Sequence, residues 1–207
     1  MTNFSQDSAA APRWWSLSIA DLTQAAVFAA LIAVLGLPGQ INLAAGVPIT
    51  LQTLGVMLAG AVLGPKKGSL AVVIFMALAM GLPLLAGGRT GWTALSSPTG
   101  GYFLGFLPGV IVIGLLTAWM MPRYNIIVGI VINFVGGALI IYICGISYQM
   151  LRTDIGLWTL ITGNAPFLIG DTIKAVIAAL VAAPVHRGRP GLITPLRAPS
   201  SSRPSVE

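Results

Sequence analysis

The chain has 207 residues, of which 56% are hydrophobic and 8% are charged, and its mean hydropathy is +0.91. Soluble domains carry about 25% charged residues, so this composition excludes an ordinary water-soluble domain. The net charge of +6 does not indicate a nucleic-acid-binding protein, because the Lys and Arg residues occur singly or in pairs between apolar runs. We therefore predict an all-α integral membrane protein that contacts membrane lipid and no nucleic acid.

Six apolar segments are candidates for transmembrane helices, since a helix needs about 20 residues to cross the hydrocarbon core. They cover residues 18–37, 53–63, 69–85, 102–121, 126–149 and 167–185. The second segment is short, so neighbouring helices must shelter it. A polar tail (1–17) precedes this membrane domain (18–185). The Pro-, Arg- and Ser-rich tail that follows it (186–207) is expected to be disordered.

The basic residues predict the orientation of the chain. The tails and even-numbered connections hold eight of them, whereas the odd-numbered connections hold Arg89 and Arg152. Because basic residues accumulate on the cytoplasmic side, we expect both termini in the cytoplasm. The eight are Arg13, Lys66, Lys67, Arg123, Arg187, Arg189, Arg197 and Arg203. Three irregular segments then share the outer face, namely residues 38–52, 87–105 and 150–166.

Residues 87–105 are too polar and too rich in glycine to form a lipid-facing helix. They include six glycines, five Ser or Thr residues, a Tyr and an Arg. Irregular backbone near membrane depth is tolerated where it is buried in protein or lines a cavity, and an Arg offers paired donors to a carboxylate. The stretch therefore predicts a pocket for a small anionic solute. Its candidate ligand contacts are Arg89, Trp92, Thr99 and Tyr102.

Two ionisable residues, Asp171 and Lys174, interrupt the last apolar segment. A charge at the bilayer centre costs about 2.5–3.5 kcal/mol on insertion scales, so such residues usually face the protein interior. Their i, i+3 spacing places both on one helix face, where they form either a ligand site or a structural ion pair. Asn133 and Gln52 are further polar candidates for ligand contact.

Small residues recur at four-residue spacing in the first apolar segment, at Ala25, Ala29 and Ala33. Such a stripe lets another helix pack closely. It therefore predicts either docking of a partner protein or packing within the chain itself.

The usual components of an active site are absent from the sequence. It has no Gly-x-x-x-x-Gly-Lys-Ser/Thr loop for nucleotide phosphates, and one His and one Cys offer no metal-binding set. No Ser has a His placed to activate it within the membrane. We therefore expect no cofactor, no metal site and no catalysis.

Several short stretches form a distinctive combination: PITLQTLG at 48–55, LGPKKG at 63–68, GLP at 81–83, GRTG at 88–91, PTGGY at 98–102 with Gly105, and GDxxK at 170–174. Together they resemble the BioY family, the biotin-specific substrate-capture (S) components of energy-coupling-factor (ECF) vitamin transporters, which implies a location in the cytoplasmic (inner) membrane. The resemblance covers roughly residues 18–185. The pairing of the GRTG and PTGGY stretches is its most specific part.

This resemblance implies the six-helix ECF S-component fold with irregular outer loops, and biotin binding near the extracellular face. It also implies docking through the Ala stripe onto a transmembrane coupling protein driven by ATPase subunits, with transport by toppling of the capture subunit. Some members import biotin without these partners, so slow import alone stays open, as does a homo-oligomer.

The chemistry of biotin agrees with the candidate residues. Its carboxylate suits Arg89 or Lys174, its ureido group suits Asp171 and Asn133, and its apolar parts suit Tyr102, Trp92 and the loop 38–52. Which end of biotin meets which charge stays open. The alternatives are a capture subunit for another anionic vitamin, a membrane-embedded enzyme with Asp171 and Lys174 as an acid/base pair, and a helix-assembling scaffold.

Overall fold

The computed structural model describes residues 17–38, 41–42 and 48–196. The predicted N-terminal tail apart from residue 17, much of the loop 38–52 and the last part of the predicted C-terminal tail, residues 197–207, lie outside the described residues.

The described part of the chain is almost wholly helical. Its helices are α1 (Ile19–Val34), α2 (Gln52–Gly81), α3 (Gly91–Ser96), α4 (Gly100–Met120), α5 (Ile126–Phe134), α6 (Ile141–Arg152), α7 (Leu157–Asn164) and α8 (Phe167–Gly188). A π-helical segment, Val135–Ile140, joins α5 to α6. Two antiparallel two-residue strands, β1 (Ile41–Asn42) and β2 (Pro48–Ile49), precede α2.

Four helical stretches in the described residues are long and apolar enough to cross a membrane. They are α2, α4, the continuous helix Ile126–Arg152 and α8, and α1 is a shorter apolar helix. The chain is therefore a multi-pass membrane protein with an all-helical membrane fold, as its composition predicts. The segments predicted to be loops hold two further short helices, α3 and α7.

The helix α2 reverses direction at Gly64. Gly64 has φ 77° and ψ −171°, in the left-handed region that glycine adopts most readily. The side chain of Gln52, at the start of α2, hydrogen-bonds to Leu84 and Ala86, whereas a straight 30-residue helix would separate its ends by about 45 Å. Residues 52–63 and 65–81 therefore pack against each other as two antiparallel halves.

This reversal corrects the predicted bounds of the second and third apolar segments. The sequence predicts a turn over residues 64–68 and a helix over 69–85. In the structure Lys66, Lys67 and Gly68 already belong to the second half of α2, which ends at Gly81. The two halves approach closely beyond the turn, since a Cβ on Gly68 would lie 2.6 Å from the Ala59 carbonyl oxygen.

The alanine stripe of α1 packs inside the chain. Ala25 is 0% exposed, Ala29 is 4% exposed, and Ala33 packs partly buried against the same core. The small side chains let α1 lie close to α2, where a Cβ on Gly55 would be 2.9 Å from Ile32. Ala25 and Ala29 therefore follow the alternative of packing within the chain, whereas Ala33 is only partly buried. The exposed alanines of α1 are Ala20, Ala26 and Ala30, and the last two adjoin the buried stripe.

Residues 186–196, which lie in the predicted C-terminal tail, contact the helical bundle. The helix α8 continues to Gly188, and Ile193 is buried against Gly64. Lys67 Nζ donates to the Leu192 carbonyl at 3.1 Å. The buried side chain of Ile193 and the hydrogen bond from Lys67 place residues 189–196 against the bundle.

A candidate ligand-binding cavity

A cavity of about 90 Å³ lies where α2, α4, α6 and α8 meet the segment that connects α2 to α4. One water molecule needs about 10–15 Å³ of such space, so the cavity has room for a small organic ligand. Its lining residues are Thr50, Gln52, Thr53, Leu85, Ala86, Arg89, Ala94, Thr99, Tyr102, Phe103, Phe106, Ile141, Tyr142, Phe167, Asp171 and Lys174.

Most of the ligand contacts expected from the sequence meet at this cavity. Gln52, Arg89, Thr99, Tyr102, Asp171 and Lys174 all line it. Trp92 does not line it and is 67% exposed on the outer side of α3. Asn133 is fully buried elsewhere, where its amide nitrogen donates to the Gly129 carbonyl at 2.8 Å.

The two charged residues of α8 form a buried ion pair on the cavity wall. Asp171 is 4% exposed and Lys174 is 6% exposed. Lys174 Nζ donates to Asp171 Oδ1 at 2.8 Å and to Thr53 Oγ1 at 3.0 Å. Thr53 in turn donates to Asp171 Oδ1 at 3.4 Å. Each charge offsets the other, and the hydroxyl adds a donor and an acceptor that connect α8 to the start of α2.

Tyr142 of α6 completes the surroundings of the carboxylate. Its hydroxyl donates to Asp171 Oδ2, so both carboxylate oxygens accept hydrogen bonds. The ring of Tyr142 meets the ring of Tyr102 edge to face, with centroids 6.4 Å apart and an interplanar angle of 73°. The polar network thus continues into an aromatic wall.

Tyr102 is positioned by its hydroxyl and by its ring. The hydroxyl donates to Asn164 Oδ1 of α7 at 3.0 Å, and Asn164 is anchored by donating to the Leu160 carbonyl at 2.8 Å. The ring lies directly against Gly145, where a Cβ would overlap it. A glycine on α6 therefore makes the space that the Tyr102 ring occupies.

Arg89 lies on a tight turn in the segment that connects α2 to α4. Leu85 and Arg89 exchange backbone hydrogen bonds of 3.0 and 3.3 Å around Gly87 and Gly88, whose φ values are 77° and 68°. Both glycines adopt the left-handed conformation that this turn requires. Gly87 and Gly88 therefore allow the turn that presents the Arg89 side chain to the cavity.

The guanidinium of Arg89 has unused hydrogen-bonding capacity. Its Nη1 donates to Thr99 Oγ1 at 3.5 Å, and its Nε has no partner within the described residues. Partial burial lowers the pKa of Arg89 from its ordinary value, but a guanidinium stays protonated in proteins. The cavity therefore contains a positive group that no carboxylate in the described residues neutralises.

Gln52 acts as a brace for the wall that carries Arg89. Its amide nitrogen donates to the Leu84 carbonyl at 2.9 Å, and its amide oxygen accepts from the Ala86 N–H at 3.1 Å. Both bonds hold the segment after α2 against the start of α2. Gln52 lines the cavity, but its polar atoms are already used by the backbone.

The other walls are apolar, with Phe103, Phe106, Phe167 and Ile141 among the lining residues. A cavity with an ion pair on one side, a cation on another and aromatic walls between them suits an amphiphilic organic anion. The described residues contain no group of three or more His, Cys, Asp and Glu side chains that could hold a metal ion.

Sequence reasoning missed Thr53, Tyr142 and Phe167. A Thr, Tyr or Phe in an apolar helix is ordinarily a packing residue, so none of them stands out. The sequence contained one signal for Tyr142. Gly137 and Gly145 lie near it in the same apolar segment, and such glycines indicate a side that packs closely against neighbouring helices, where a tyrosine can also face inward.

Comparison with known proteins identifies the family. The model of the BioY family matches residues 7–191 of this chain. The chain belongs to the BioY family. The resemblance read from the glycine-rich and Gly-Asp-x-x-Lys stretches is thereby confirmed.

Individual relatives agree with this membership. The biotin transporter BioY of Rhizobium etli is 40% identical over 189 residues, covering 88% of this chain and 100% of the relative. The biotin transporter BioY of Rhodobacter capsulatus is 40% identical over 183 residues, covering 84% and 96%. A crystal structure of the S-component for biotin from an ECF-type ABC transporter matches with a TM-score of 0.80 and 31% identity, covering 88% of this chain and 100% of that one.

Proposed function

We propose that this chain is a substrate-capture subunit that binds biotin in the cavity between α8 and the segment 82–102 and delivers it across the membrane. The observation that carries the proposal is the convergence of Arg89, Asp171 and Lys174 on one largely apolar cavity. The proposal is supported by the homologues, which are named biotin transporters, and by the structural relative, which is named an S-component for biotin. The role is transport and not catalysis.

The geometry favours one orientation of the ligand. The positive charge of Lys174 is already offset by Asp171 at 2.8 Å, whereas Arg89 has an Nε without a partner in the described residues. The biotin carboxylate therefore binds near Arg89 and Thr99. The ureido group, which needs both donors and acceptors, binds at Asp171, Lys174 and Thr53.

We propose a six-span topology with both termini in the cytoplasm and the chain in the cytoplasmic membrane. The reversal at Gly64 gives α2 two antiparallel halves, which with α1, α4, Ile126–Arg152 and α8 make six helical segments. The basic residues near Gly64, at Lys66 and Lys67, then face the cytoplasm. The cavity opens on the other side.

The partners implied are a transmembrane coupling protein and ATPase subunits. An S-component of an ECF-type ABC transporter among the structural relatives supports this assignment. Since Ala25 and Ala29 are buried, the exposed face of α1 that carries Ala26 and Ala30 is the docking face that we propose.

Equilibrium binding of radiolabelled biotin to the purified chain tests the proposal. We expect saturable binding by the wild type, with recovery of intact biotin afterwards. A folded wild-type protein that fails to bind biotin contradicts the proposal. Recovery of a modified ligand would instead favour an enzyme that uses Asp171 and Lys174.

A further inference from the structure

The short helix α3 forms part of one wall of the cavity. Ala94 of α3 lines the cavity, and so do Arg89 and Thr99 on either side of the helix. The opposite side of α3 is open, as the 67% exposure of Trp92 shows. Outward movement of α3 would therefore uncover the cavity.

Two side chains of α6 hold the end of α3. The Tyr148 hydroxyl donates to the Leu95 carbonyl oxygen. Arg152 Nη2 donates to the same oxygen at 3.4 Å and to the Tyr148 hydroxyl at 2.9 Å. The Arg152 guanidinium also lies 5.2 Å from the centre of the Tyr148 ring. These contacts join three groups in one cluster: a carbonyl of α3, a hydroxyl and a cation.

The carbonyl of Leu95 needs such partners. The last four carbonyls of a helix lack partners within it, and a cation is favourable at that end. A six-residue helix is also too short to be stable by itself. The position of α3 therefore depends on its external contacts, which include its packing against α2 and α4 and this cluster at its C-terminal end.

The tyrosine itself is firmly seated. A Cβ on Gly100 would lie 3.2 Å from Tyr148 Cε1, and one on Gly101 would overlap the Tyr148 Cβ. The glycines at the start of α4 thus admit the tyrosine against the backbone. Removing its hydroxyl should leave the ring in place, so the hydrogen bond can be tested separately from the packing.

We propose that Tyr148 and Arg152 form a latch that holds α3 closed over the cavity and sets the rate at which ligand leaves. Neither residue lines the cavity, so both are positioning residues that act through α3. This proposal rests on the proposed function, since the ligand whose release the latch slows is biotin bound in this cavity.

Dissociation of radiolabelled biotin from the purified full chain, chased with excess unlabelled biotin, tests the latch. In Tyr148→Phe and in Arg152→Met we expect dissociation about 3- to 10-fold faster, the scale of one lost hydrogen bond. In the double variant we expect less than the product of the two effects, because the Tyr148 hydroxyl also holds Arg152. Arg152→Lys, which keeps the cation, should restore part of the slow rate.

Tyr124→Phe is the matched control. It removes a buried tyrosine hydroxyl that has no partner within the described residues, and Tyr124 does not line the cavity. Its dissociation rate should equal that of the wild type. If Tyr148 had a purely structural role, Tyr148→Phe would lower the melting temperature and the active fraction without changing the dissociation rate of that fraction, and this result would overturn the proposal.

A second readout needs no ligand. Amide hydrogen exchange of residues 91–99 in the ligand-free protein should be faster in Tyr148→Phe than in the wild type, and unchanged in Tyr124→Phe. If the wild type fails to bind biotin, the proposed function fails and hydrogen exchange still decides whether the latch exists. Unchanged exchange in Tyr148→Phe, or an unchanged dissociation rate in a folded variant that binds biotin, overturns the latch.

Discussion

Lys174 Nζ lies 2.8 Å from Asp171 Oδ1, one helical turn away on α8, and both side chains are buried on the cavity wall. Their spacing in the sequence predicts that they share a helix face. The structure adds the partners of the pair, Thr53 and Tyr142, which bring α2 and α6 to the same point. An ion pair bonded on several sides can offer donors and acceptors to a ligand without presenting an unpaired charge to it.

Separate and joint removal of the pair distinguishes a ligand site from a structural one. Asp171→Asn leaves Lys174 buried without its counter-charge, which costs about 3–5 kcal/mol of stability. The double variant Asp171→Asn/Lys174→Met removes both charges, so we expect its thermal stability to approach that of the wild type. Its biotin affinity should still fall by about 100-fold or more, a loss of about 2.7 kcal/mol. Near wild-type affinity in the double variant would assign the pair a structural role.

Arg89→Gln tests the contact with the ligand carboxylate. We expect weaker biotin binding by about 10- to 100-fold, because a charge-assisted hydrogen bond is lost. Binding of biotin methyl ester should be nearly the same in wild type and variant, since the ester carries no charge. Isothermal titration of both ligands measures this difference. Arg123→Gln, at an exposed site outside the cavity lining, is the control, and an equal loss for both ligands in Arg89→Gln would contradict the assignment.

Gly145→Ala tests whether the position of Tyr102 matters for binding. A Cβ at Gly145 would overlap the Tyr102 ring, and such overpacking costs about 1–3 kcal/mol. Displacement of the ring towards the cavity should lower biotin affinity by about 10-fold in equilibrium binding. Gly170→Ala is the matched control, since among the described residues no atom beyond its chain neighbours and the backbone of its own helical turn lies within 4 Å of its added Cβ. If both variants bind biotin equally well, the Tyr102 ring does not shape the site.

The exposed and buried faces of α1 should respond differently to larger side chains. Ala26→Leu/Ala30→Leu changes an exposed face, so we expect normal stability and biotin binding but loss of uptake in cells that carry the coupling protein and ATPases. Ala25→Leu overpacks a fully buried position and should lower thermal stability. Unimpaired uptake by the Ala26 and Ala30 double variant would place the docking face elsewhere.

The segment 189–196 should contribute to stability and not to binding. Ile193→Asp places a charge against Gly64, and we expect a lower melting temperature with unchanged biotin affinity. Leu196→Asp is the control, because Leu196 is largely exposed. A melting temperature that does not change in Ile193→Asp would show that this contact is unimportant.

The features that could be predicted from the sequence are residues that do not fit an apolar transmembrane helix. Asp171 and Lys174 are charges in an apolar helix, and the run around Arg89 combines glycines and hydroxyls where lipid-facing residues would otherwise occur. The turn near Gly64 is marked by Gly-Pro followed by two lysines. Charged and strongly polar residues are unfavourable in contact with lipid, so they must be buried in protein. Glycine and proline interrupt a helix, so a turn or loop is expected where they cluster.

The features that could not be predicted depend on which side of a helix faces inward. Spacing alone does not distinguish the Ala25 and Ala29 face of α1 from the Ala26 and Ala30 face. The partners of the ion pair, Thr53 and Tyr142, come from helices whose relative rotation is fixed by packing. Trp92 is of a residue type that is common in binding sites, but it lies on the open side of α3.

The most direct test of the account is the position of the ligand in a structure of the purified chain bound to biotin, with the sulfur located by its anomalous signal. The account predicts density in the cavity between α8 and the segment 82–102, with the ureido group at Asp171 and Lys174 and the carboxylate at Arg89. An empty cavity with biotin bound elsewhere on the protein would contradict it.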